Sequence, residues 1–141
     1  MARFDVSGLE DMIREMERLG ESTGPVAEEM VQAAAAEIRD AWKRSADEHG
    51  HRDTGAMIAS IGFARKPLRA GDIIYQDIYP QGKDKKGVRN AEKAFILHYG
   101  TSRIRASYWV DDADRYAGPL VTERLEQIWA DYLENKKKPK E

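Results

Sequence analysis

Residues 49–55, "HGHRDTG", hold the side chains best suited to chemistry. Asp53-Thr54-Gly55-Ala56 has the form of the tetrapeptide around the catalytic aspartate of retroviral-type aspartic proteases. Such an enzyme needs two carboxylates about 3 Å apart that share one proton, so a chain with one copy must dimerise. An apolar strand should also run into the motif. Here the preceding residues are the polar "SADEHGHR". His49, His51 and Asp53 alternate beside Glu48, and zinc accepts such donors. One H-x-H at a helix exit is a weak metal pattern, and His98, the other histidine, belongs to a different element. The chain has no cysteine, which excludes a thiol nucleophile, a cysteine zinc site and a disulfide framework. No G-x-S-x-G elbow, P-loop or G-x-G-x-x-G run occurs. Ser60 falls inside an expected strand, where packing is its role. These residues give no catalytic group, no metal site and no cofactor site.

The elements around the motif explain it differently. Ser7-Gly8-Leu9-Glu10 has capping-box spacing, and Leu9, Met12, Ile13, Met16 and Leu19 follow a helical period. Gly20 should close this first helix. Pro25 suits the first position of a second helix with the stripe Val26, Met30, Val31, Ala34, Ile38, Ala41, Trp42, ending near Gly50. Residues 57–66 and 72–80 are rich in β-branched and aromatic side chains, with Gly71-Asp72 between them, and read as an antiparallel pair. "QGKDKKGVRN", 81–90, has no apolar period and reads as a mobile loop. Asn90 can cap a helix "AEKAFILHY" that Gly100 stops. Ser107 can cap "YWVDDADRYA", Gly118-Pro119 should break the chain, and Leu120 to Leu133 form a last amphipathic helix. The expected class is α+β: N-terminal helices and a C-terminal helix around a small antiparallel sheet. Residues 1–135 read as one domain and 136–141 as a disordered basic tail.

Charge narrows the partners. The net charge of the 141 residues is −2, which alone suggests no polyanion. Its distribution is uneven: residues 1–64 carry 7 basic and 13 acidic side chains, and residues 65–110 carry 10 and 4. The basic middle could face a nucleic acid, as in a cellular nucleic-acid-binding module, or the acidic segment of another copy. It could equally be mixed, solvated charge. No run reaches the roughly 18 apolar residues of a membrane span, and "MARFDVSGLEDM" has no apolar export core. A cytoplasmic site of synthesis is expected.

Two segments carry a resemblance. One is "DTGAMIASI", 53–61; the other is "AFILHYGTSRIRASYWVDDA", 94–113, ahead of a long terminal helix. Their order resembles a family of small neck proteins of long-tailed bacteriophages that act in head–tail joining or tail completion. Thr54, Gly55, Met57, Ser60 and Ile61 match the first family segment. Tyr99, Gly100, Thr101 and Ser102 match the second, and Tyr108-Trp109 matches its aromatic pair. The family usually has Glu where this chain has His98, and Pro where it has Ser107. The resemblance spans roughly residues 25–135. It implies a virion structural protein at the head–tail junction, made in a bacterial host, with no enzyme activity and no cofactor. Such proteins form rings, often of six copies, between a head connector and a tail tube, with DNA in the lumen. The expected interface is Tyr99, Gly100, Thr101, Ser102, Arg103, Ile104 and Arg105, with planar donors flanking an apolar anchor. Lys83, Lys85, Lys86 and Arg89 are expected to face DNA through phosphate contacts.

Overall fold

The computed structural model describes residues 24–71 and 73–137. The expected helix at 7–19 and residues 138–141 of the tail lie outside these residues. The elements are α1 (Gly24–Glu48), α2 (Ala56–Ser60), β1 (Ile61–Gly62), β2 (Leu68–Ala70), β3 (Ile73–Tyr75), β4 (Tyr79–Pro80), α3 (Asn90–Tyr99) and α4 (Trp109–Lys137). This is the α+β class expected from the pattern.

α1 and α4 form the frame. The end of α1 lies beside the start of α4: the Ser45 hydroxyl donates to the Trp109 carbonyl at 2.5 Å, and the Tyr116 hydroxyl donates to Glu48 at 3.0 Å. The two helices therefore run antiparallel. Ala35, Ala41 and Ala46 of α1 and Ala113 and Ala117 of α4 are buried, so small side chains let the backbones come close. Trp42 and Trp109 meet edge to face at 5.5 Å where α4 begins.

α4 crosses Gly118-Pro119 without a break, contrary to the sequence expectation. Proline removes one helix hydrogen bond and usually kinks or ends a helix. Here Trp109, Ala113, Ala117, Val121, Leu125 and Ile128 are all buried at helical spacing on both sides of it. That continuous apolar stripe outweighs the lost bond. α4 also runs to Lys137, so residues 136 and 137, expected in the tail, belong to the helix.

The segment 57–66 is also corrected. It opens as the short helix α2, and only Ile61–Gly62 is strand. Met57, Ile58 and Ile61 are the buried residues. That spacing of one and then three is helical; alternation would have buried 57, 59 and 61 together. β-branched content had suggested strand.

The antiparallel pairing itself holds. Ile61 faces Pro80 and Gly62 faces Tyr79 at the base, while Leu68 faces Tyr75 and Ala70 faces Ile73 near the tip. The two ladders form separate two-stranded sheets within this hairpin, and their registers differ by two residues. The hairpin lies on α1: the Gln32 amide donates to the Arg65 carbonyl at 2.8 Å, Arg69 pairs with Glu28, and the Arg39 guanidinium sits 5.4 Å from the Phe63 ring centre.

Candidate functional site

The two segments that carry the resemblance meet in space. α2 packs against α3. The Ser107 hydroxyl donates to the Leu97 carbonyl at 2.7 Å. Its oxygen is thereby left to accept from His51 Nε2 at 2.8 Å. Burial, then the neighbouring His49, pushes the His51 pKa down, which favours the neutral ring that this bond uses. His49 reaches Asp112 at 2.6 Å and holds that carboxyl below its usual range, an effect to which Arg115 adds. The histidines thus clip the exit of α1 to the entry of α4.

Asp53 is exposed, and a helix rather than a strand follows it. Thr54 Oγ1 accepts from the Ala56 N–H at 3.3 Å, and Gly55 takes φ 82 at the start of α2. The cleft beside these residues holds about 60 Å³, far below the few hundred Å³ of a typical ligand pocket. Among the described residues no group of three metal-ligating side chains occurs. No helix there is long and apolar enough to cross a membrane.

The turn after α3 is the most closely built feature. Gly100 stops α3 as expected, its N–H donating to the Ile96 carbonyl at 2.7 Å. It takes φ 77 and ψ 178, a region open in practice only to glycine. A Cβ there would lie 2.6 Å from both the Ile104 carbonyl oxygen and the Ala106 nitrogen. Thr101 closes the turn: its N–H donates to the Ile104 carbonyl at 2.8 Å, and its hydroxyl oxygen accepts from the N–H groups of Arg103 and Ile104. Thr101 is therefore a folding residue. Ser102, Arg103, Ile104 and Arg105 are carried outward on the turn and are exposed.

The entry to α4 is made by His98, not by Ser107. The buried His98 accepts the Val110 N–H on Nδ1 at 3.3 Å, so one orphan donor of the helix start is satisfied from another element. Its Nε2 then carries the proton and faces Asp111 at 3.9 Å. Tyr108, just ahead of α4, has φ 51. A positive φ on a bulky residue is strained. The Tyr108 N–H bond to the His98 carbonyl holds it there.

The result is an exposed aromatic surface. Phe95 is 63% exposed, Tyr99 58%, Tyr108 52% and Ile104 43%. The Phe95 and Tyr99 rings meet tilted, 4.7 Å between centres; His98 sits edge-on to Tyr99 at 4.6 Å and to Tyr108 at 5.4 Å. Arg103 and Arg105 are exposed on the adjoining turn and form no ion pair among the described residues. Phe95 was not singled out from sequence, and Tyr108 was matched to the aromatic pair of the resemblance but not placed at the expected interface. Ala94 and His98 lie on the buried face of α3, so the i, i+4 pair Phe95 and Tyr99 faces away from it.

Lys83, Lys85, Lys86 and Arg89 lie elsewhere, at the opposite end of α3, about 15 Å along its axis. The loop that carries them is a hydrogen-bonded turn, with Lys83 bridged to Arg89 and the Asp84 N–H donating to the Val88 carbonyl at 2.9 Å. Asn90 does not cap α3; its amide donates to the Gln81 carbonyl at 2.9 Å. All four cations are exposed, and none is in an ion pair among the described residues. Asp84 organises the turn. Lys93, then the Val88 N–H, holds its carboxyl below the ordinary aspartate value of 3.8, with the Lys86 N–H adding to this against the opposing effect of burial. Its folded pKa is therefore below its unfolded one. The stability it contributes is present above the unfolded value and is lost as pH falls through the folded one. Asp84→Asn should lower the melting temperature at about pH 7 and have a smaller effect at about pH 2. An equal effect at both pH values would contradict this role.

Compared with protein-family models, curated proteins and solved structures, the chain matches none.

Proposed function

We propose that this protein is a ring-forming structural component of the head–tail junction of a long-tailed bacteriophage. In that role it joins a head connector to a tail tube or terminator protein. The observation that carries the reading is the aromatic and arginine surface on the turn after α3. It coincides with the second segment of the resemblance, and its backbone is over-determined. Soluble monomers rarely expose contiguous large apolar side chains without a partner for them. Aromatic residues and Arg are also the types enriched where protein surfaces lock together. Strain at Tyr108, spent on aiming an exposed ring outward, points the same way.

The other features support a structural role. The Asp53 motif is a helix start, and the histidines act as clips. The exposed cations Lys83, Lys85, Lys86 and Arg89 suit contact with phosphates passing through a lumen, which needs charge but no base recognition. A cellular nucleic-acid-binding module is the rival reading. Sedimentation of the full chain over a range of concentrations, with binding to duplex DNA of mixed sequence, separates the two. The expected result is an assembly of about six copies with weak, salt-sensitive DNA binding. A monomer that selects one DNA sequence tightly would overturn the reading.

A further inference from the structure

The aromatic surface has a complement on the same chain. Residues 95–108 contain Arg103 and Arg105 and no acidic residue. Residues 120–134 of α4 contain Glu123, Glu126, Asp131 and Glu134 against a single Arg124, and all five are exposed. None of these five is in an ion pair among the described residues. Leu120 and Leu133 are exposed among the carboxylates. One surface is therefore apolar and basic, and the other apolar and acidic.

A single chain cannot bring these surfaces together. α4 is continuous from Trp109 to Lys137, so Tyr108 and Glu126 are held about 27 Å apart by the rise of an α-helix. Complementary surfaces fixed apart on one rigid body meet only between copies. Their contact is head to tail, and a head-to-tail contact closes into a ring when its rotation allows.

We propose that the surface of Phe95, Tyr99, Ile104 and Tyr108, with Arg103 and Arg105, docks on the outward face of α4 of a second copy. Glu123 and Glu126 pair with the arginines there, and Leu120 lies against the aromatic rings. The proposal rests on the ring reading and assigns its subunit interface. Opposite charges at the rim set register and partner choice, while the aromatic centre supplies most of the affinity.

Charge reversal tests it. Arg103→Glu with Arg105→Glu should shift the assembly at least about tenfold toward monomer, and so should Glu123→Arg with Glu126→Arg. The chain with all four substitutions should assemble again. So should an equimolar mixture of the two double variants, because every interface in an alternating ring is then complementary. Circular dichroism of each variant checks that it folds. If the wild type assembles and either double variant assembles equally well, this interface is wrong and the ring reading stands. Dissociation of both without rescue in the fourfold variant overturns the pairing as well. A wild type that stays monomeric removes the ring reading and this interface together.

Discussion

Gly100→Ala should destabilise the protein by about 3 kcal/mol or more. The backbone there has φ 77 and ψ 178, where any Cβ is strained. The added methyl would also sit 2.6 Å from two backbone atoms of the same turn, the Ile104 oxygen and the Ala106 nitrogen. Neither is a flexible side-chain end that could swing away. The melting temperature should fall by roughly 10 °C for a chain of this size. Because Thr101 to Ile104 close on themselves around this glycine, the damage should centre on the turn. Arg103, Ile104 and Arg105 would lose their fixed presentation, and assembly should weaken more than overall stability predicts. Thermal melting and sedimentation together measure both effects. A melting temperature within about 2 °C of wild type would show that the turn relaxes easily, contrary to the close approach seen here.

Trp109→Ala should cost about 3–5 kcal/mol, the usual range for emptying a large buried aromatic site. Trp109 is fully buried and joins three elements. Its ring meets Trp42 of α1, its carbonyl accepts from Ser45, and its indole N–H donates to the Ala94 carbonyl of α3 at 3.3 Å. His51 approaches it edge-on at 6.4 Å. Truncation leaves a cavity between α1 and α4 and removes the indole bond to the Ala94 carbonyl that ties α4 to α3. Trp109→Phe should cost less, since it keeps much of the volume and loses the indole donor. Chemical denaturation read by circular dichroism separates the two. A loss below about 1 kcal/mol for the alanine variant would mean that the core collapses around the site.

The helical frame was legible because its signals are long. The stripe from Val26 to Trp42 repeats over many turns, and Gly50 and Gly100 mark the ends of their helices through positive φ. Short signals misled. Met57 to Ile61 has the composition of a strand and the burial of a helix, and five residues are too few for composition to be tested against period. Pro119 is a local breaker whose effect depends on the stripe that flanks it, and that stripe acts only once α1 is in place. The turn at Gly100 was located from sequence, but its geometry was not, because the clash that requires glycine comes from residues four to six positions later. His98 shows the same limit. Its side chain caps α4 through Val110, a bond made only by the tertiary fold. The exposed rings of Phe95 and Tyr108 became a surface only when the buried face of α3 was known.

Electron microscopy of the purified full-length chain, with native mass spectrometry of the same sample, tests the central claim most directly. Closed rings of about six copies around an open lumen are expected, with Arg103 and Arg105 at the subunit boundary. A population of single chains across the full concentration range, binding one DNA sequence with high affinity, would contradict it.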